Sequence, residues 1–179
     1  MQQAAVLNKP VQPTGIERQW GEEEIIVSKT DLKGRVTYAN DVFMRVSMMS
    51  EQELLGQPHN IIRHPDMPRC VFKLLWDTLA EGREIFAYVV NMAKNGDHYW
   101  VLAHVTPSFD DDGKIIGYHS SRRKPRVEAI QKIEPIYKTL LNIEKQYSKS
   151  KEGLEHSFKA LIDTVAETGM PYDQFVFTL

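Results

Sequence analysis

The stretch Gly56-Gln-Pro-His-Asn-Ile-Ile-Arg-His-Pro-Asp-Met-Pro68 crowds two histidines, an arginine, an aspartate, an asparagine and three prolines into thirteen residues. Each proline lacks an N–H and restrains the residue before it, so Pro58, Pro65 and Pro68 forbid one regular helix through the segment. His59, Asn60, Arg63, His64 and Asp66 are therefore expected on short turns with fixed backbone directions. Polar density of this kind between two helical patterns marks a site wall more than a spacer. The bland alternative is that Arg63 and Asp66 brace a proline-rich turn while His64 caps a helix.

Before this stretch, residues 23–29 read as a strand by their β-branched centre, and Asp31-Leu-Lys-Gly34 turns the chain into a second strand over 35–39. Asn40 is placed as a cap before a short helix, and Ser50 with Glu53 forms a capping box for another that stops at Gly56. After it, Val71, Phe72, Leu75, Trp76 and Leu79 fall at helical spacing, predicting a helix over roughly 68–81. Three strand patterns follow: 86–92, a two-residue Asn95-Gly96 turn, 98–107, the turn Asp110–Gly113, and 114–121. The connections are too short for parallel crossovers. The expected fold is thus α+β: a five-stranded antiparallel sheet with short helices on one face, spanning 23–125. An N-terminal arm, 1–22, should order only by lying on the domain or on a second copy. Residues 126–179 carry two amphipathic stripes and an apolar tail, read as a helical hairpin for output or dimerisation.

Net charge is −2, so no global field recruits nucleic acid or an anionic membrane. The local run Arg122-Arg123-Lys124, with Arg126, is read as a solvated strand end and linker more than a phosphate-binding patch. No stretch approaches ~18 consecutive apolar residues and no secretory leader is evident, which points to a cytoplasmic protein without membrane insertion. Cys70, the single cysteine, is expected to be a small buried hydrophobe. No nucleophile elbow, phosphate loop or His-Glu-x-x-His motif is present, so no enzyme activity is expected. The histidines and Asp66 lack the spacing of a zinc site. Haem is a rival ligand, with His64 or His59 as the iron ligand.

The segments Ser28–Gly34, Tyr38-Ala-Asn-Asp41, Gly56–Asn60, Arg63–Pro68, Asn95–Trp100 and Gly117-Tyr118 together resemble a PAS domain of the bacterial aerotaxis-receptor type over roughly residues 24–124. The resemblance implies a sensory module that holds FAD between sheet and helices and reports oxygen, redox or energy state. Matched position by position, Arg63, His64 and Asp66 correspond to the motif needed for flavin binding, and Asn40, Phe72 and Asn91 to further pocket positions. Two departures stand out: Ile85 replaces a tryptophan, and Met48-Met49 replaces a glycine–aromatic pair. They motivate the alternative of a cofactor-free interaction module. The chain ends without the anchor of a full receptor, which suggests a stand-alone sensor acting in trans on a chemoreceptor or other signalling protein; a homodimer is expected.

On the strand after Asn95-Gly96, alternate residues face opposite ways. Tyr99, Val101, Ala103 and Val105 suit an inner pocket wall. His98, Trp100, Leu102 and His104 suit an outer face, either covered by the C-terminal helices or the arm, or open to a partner.

Overall fold

The computed structural model of the protein describes residues 11–179. Five strands form one antiparallel sheet in the order β2-β1-β5-β4-β3. They are β1 (Ile26–Thr30), β2 (Val36–Ala39), β3 (Ile85–Met92), β4 (His98–Phe109) and β5 (Ile115–Arg123). Between β2 and β3 the chain crosses one face of the sheet through α1 (Asp41–Ser47), α2 (Glu51–Leu54), a 3-10 turn at His59–Ile62 and α3 (Arg69–Ala80). The expected α+β architecture is therefore present, with element bounds shifted by a few residues.

The Asn95-Gly96 turn closes the β3–β4 hairpin where expected, but through a longer connection than two residues. Ala93 N–H donates to the Asp97 carbonyl and Gly96 N–H to that of Ala93. Gly96 is required there: its φ is 95°, and a Cβ would overlap the Gln12 carbonyl of the N-terminal arm. The described part of the arm lies on the domain. Ile16 and Arg18 hydrogen-bond the backbone of His98, Thr14 Oγ1 donates to Asp97 at 2.6 Å, and Trp20 is buried. Residues 1–10, which belong to the same expected arm, fall outside the described residues.

The C-terminal elements α4 (Val127–Gln146), α5 (Ser150–Glu167) and α6 (Tyr172–Thr178) close onto the same core. Tyr137 of α4 stacks on Trp100 with ring centroids 6.0 Å apart, and its hydroxyl donates to the Tyr88 carbonyl at 2.6 Å. β3 is an edge strand, and this bond satisfies one carbonyl that would otherwise be open to strand addition. Phe177 of α6 packs on Phe86 at 4.7 Å. The outer face of β3 and β4 is thus covered, and Trp100 is buried beneath α4. Among the described residues no helix is long and apolar enough to cross a membrane.

Met48 ends α1 with φ 57°, the one non-glycine residue among those described in the left-handed region. A side chain there crowds the following carbonyl, at a cost of roughly 1–2 kcal/mol. This is the position where the resembled family carries glycine. Met48→Gly should therefore leave the fold intact and stabilise the protein by up to ~1 kcal/mol in chemical denaturation. A destabilisation would contradict the strain argument.

Candidate functional site

Inner-face residues of the sheet and the helical layer enclose a cavity of about 350 Å³. The sheet side follows the two-residue period of strands: Ser28 on β1, Val89 and Asn91 on β3, Ala103 and Val105 on β4, and Tyr118, Ser120 and Arg122 on β5. The opposite wall is His59, Asn60 and Arg63 from the proline-pinned segment, with Phe72, Leu75 and Trp76 from α3 at helical spacing. The half-exposed Trp76 ring meets Tyr118 edge-on at 5.3 Å, beside Lys33 and Gly34 of the β1–β2 turn.

The floor carries the site's most deeply buried charge. Arg122 is 2% exposed. Its Nη2 donates to Ser28 Oγ, and its guanidinium lies 4.6 Å over the Phe43 ring. Nε and Nη1 are buried and have no hydrogen-bond partner among the described residues. Burial lowers its pKa to about 10, so it stays charged at neutral pH. Ser28 Oγ also sits 3.1 Å from His59 Nε2. With Arg122 donating to Ser28, the serine hydroxyl donates to a neutral His59, whose ring lies against Phe43 at 5.9 Å.

The expectation of a solvated strand end is overturned at Arg122. Ile26 pairs with Arg122 and Ser28 with Ser120, a register that aims Arg122, Ser120 and Tyr118 inward together. The neighbouring Arg123 is exposed and Lys124 half-buried.

Of the six residues matched to flavin-pocket positions, Arg63, Phe72 and Asn91 line the cavity. Arg63 bridges backbone to backbone with Asn91 and stands 5.1 Å over the Phe72 ring, its Nη2 donating to the Met67 carbonyl at 2.8 Å. Asn40, His64 and Asp66 do not line it. The Asn40 amide binds α1 to β1: Oδ1 accepts from Phe43 N and Val27 N at 3.0 Å, and Nδ2 donates to the Ile25 carbonyl at 2.8 Å. Because the backbone at Arg63 is extended, His64 turns the opposite way. It enters a second hollow with His98, Trp100 and Tyr137, and its Nδ1 accepts from Asp66 N at 3.1 Å. The Asp66 side chain is 69% exposed. Ile85, Met48 and Met49, the departures from the resembled pattern, also lie outside the cavity lining. Cys70 is buried in the first turn of α3, and burial pushes its thiol up to about 11.

Residues 36–122 match a family described as the PAS fold. The chain is 47% identical to the aerotaxis receptor of Escherichia coli K12 over 119 residues, covering 66% of this chain and 23% of that protein. It is 28% identical to the nitrogen fixation regulatory protein of Klebsiella pneumoniae over 57% of this chain and 21% of that protein. The chain therefore spans about a fifth to a quarter of these relatives. Among solved structures, a light-oxygen-voltage domain studied with a flavin analogue superposes with TM-score 0.57 at 15% identity, covering 64% of this chain and 87% of that one. The dark-state Aureochrome1 light-oxygen-voltage domain gives 0.54 at 22% identity, covering 66% and 86%.

Burial and the Arg122 charge lower the His59 pKa to about 3, whereas a histidine in the unfolded chain titrates near 6.5. Below 6.5 the unfolded chain takes up a proton that the folded chain refuses. Stability should therefore fall as pH drops from 6.5 towards 3, by at most about 1.4 kcal/mol per pH unit from this group. His64, also lowered by burial, adds in the same direction. His59→Gln should make the acid-side loss shallower in denaturant titrations across this range; an unchanged slope would contradict the assignment.

Proposed function

Residues 36–122 form a PAS domain of the aerotaxis-receptor type, and from that premise we propose that the chain is a sensor holding FAD in the cavity and reporting redox or oxygen state to a chemotaxis-type partner. The observation that carries this reading is the buried Arg122 guanidinium, with two nitrogens lacking a partner among the described residues, at the floor of an otherwise largely apolar cavity. A buried charged donor without an acceptor is costly. An oxygen- and nitrogen-rich ring edge supplies the acceptors. Val89, Ala103, Val105 and Leu75 give such a flat ring apolar contact, and the Asn91 amide offers a donor and an acceptor at its rim. Arg63, in the wall and hydrogen-bonded with one of its five N–H groups, keeps donors for a phosphate. The likeness to a light-oxygen-voltage domain studied with a flavin analogue supports the same ligand class.

When bound, the flavin supplies reversible electron uptake that changes the charge and hydrogen bonding of its ring. This chain's residues hold, orient and shield it. Arg122 and Asn91 would meet its polar edges, Phe72 and Leu75 would keep water from its face, and neutral His59 would fix Ser28 beside Arg122. The reading is of a sensor and not an enzyme. It would act in the cytoplasm as a homodimer, in trans on a chemoreceptor or related signalling protein.

The full chain, freshly purified, should show oxidised flavin absorbance and release FAD on denaturation. The double variant Arg63→Ala with Asn91→Ala should bind FAD at least about tenfold more weakly. A colourless protein that takes up no FAD on reconstitution, or unimpaired binding by the variant, would contradict the proposal. A Soret band would assign the pocket to haem instead.

A further inference from the structure

Helix α3 begins without a cap of its own. Its N-cap is Pro68, which contributes no side-chain hydrogen bond, and its first turn holds no acidic residue. The first turn of a helix presents N–H groups without intrahelical acceptors, and these favour a negative charge. Here the missing acceptor comes from another part of the chain. Glu144, near the end of α4, is buried, and its Oε1 accepts from Arg69 N at 2.8 Å and Cys70 N at 3.1 Å. Its Oε2 accepts from Arg69 Nε at 3.0 Å, and Ser157 Oγ of α5 donates to Oε1 at 3.1 Å. The rest of the Arg69 guanidinium grips Ser150 at the start of α5, through its hydroxyl and its carbonyl. Gly153 lets the two helices close here, since a Cβ would collide with the Glu144 carbonyl. One carboxylate thus joins α3, α4 and α5.

The other end of this junction is the cavity wall. Arg63 Nη2 holds the Met67 carbonyl, two residues before Arg69, and Arg63 stands over Phe72, three residues after it. Both Arg63 and Phe72 line the cavity. A force on either side chain is therefore delivered to the turn whose amides Glu144 holds.

We propose that Glu144 is a latch through which the contents of the cavity set the docking of the α4–α5 hairpin. A ligand that fixes Arg63 and Phe72 holds the first turn of α3 against Glu144 and tightens the hairpin; an empty cavity loosens it. Loosening bares the sheet face that carries Trp100 and Tyr88. By linkage, the hairpin changes ligand affinity by the same factor that the ligand changes hairpin docking. The identity of the ligand rests on the flavin reading, whereas the latch rests on contacts within the chain.

The test is amide hydrogen exchange on the full chain, with and without FAD. FAD should slow exchange at Arg69, Cys70 and α5 by about tenfold, beyond any change in β4. Glu144→Gln, which keeps an acceptor but removes the charge, should shrink that difference and weaken FAD binding by the same factor. Should Glu144→Gln fail to fold, Ser157→Ala removes one bond of the latch and should act in the same direction. The proposal is overturned if FAD binds yet exchange at these amides is unchanged, or if the variant keeps the full FAD-dependent protection. If FAD does not bind, the flavin reading fails, and Phe72→Ala tests the latch alone. It should speed exchange at Arg69, Cys70 and α5 more than in β4; a uniform change would overturn the latch.

Discussion

Arg122 carries a full positive charge into the interior, and among the described residues only the Ser28 hydroxyl and the face of Phe43 receive it. A guanidinium has five N–H donors, and here two of its nitrogens point at nothing the described chain provides. Folding tolerates this because the sheet leaves no choice. Ile26, Ser28 and Thr30 pair with Arg122, Ser120 and Tyr118, and shifting that register by one residue would turn every inward side chain of β5 out. The charge sets a polar floor at Arg122, Ser28 and His59, beside apolar surface from Val89, Ala103, Val105, Phe72 and Leu75, with Arg63 and Asn91 as the polar groups of the remaining wall.

That polar floor matters only if something outside the cavity feels it. The proline-pinned segment is the connecting part. Its backbone is stitched to the edge strand at Asn91, with Arg63 turned inward and His64 outward, and it runs straight into the uncapped start of α3. The C-terminal hairpin completes that helix end through Glu144 and covers the outer sheet face through Tyr137. Sensor wall and hairpin are thus two sides of one packed body, and the arm at Thr14–Trp20 closes a further edge.

Much of this was legible in the sequence because it rests on period and punctuation. The alternation along residues 98–106 set the inner and outer faces of β4, and the apolar character of the C-terminal tail agrees with the burial of Phe175 and Val176. Arg63, Phe72 and Asn91 were legible as cavity residues through the family resemblance. Arg122 was not, because three consecutive basic residues read as solvated until the β1–β5 register is known; its place in the two-residue period of Tyr118, Ser120 and Arg122 was the available signal. Asn40 matched a pocket position, yet an amide before a helix is equally a cap, and its hydrogen bonds to Val27, Phe43 and Ile25 serve that purpose. Glu144 acts 75 residues from its partner Arg69, a relation no local pattern encodes.

On the proposed reading, Arg122 serves a ligand and not the fold. The direct measurement compares denaturant stability of the ligand-free protein and FAD affinity for the natural chain and Arg122→Met. Replacing a poorly paired buried charge with an apolar side chain should leave the ligand-free protein as stable or up to about 4 kcal/mol more stable, while FAD binding falls by at least about tenfold. A variant that is destabilised yet binds FAD as tightly as the natural chain would show that the charge serves the fold alone.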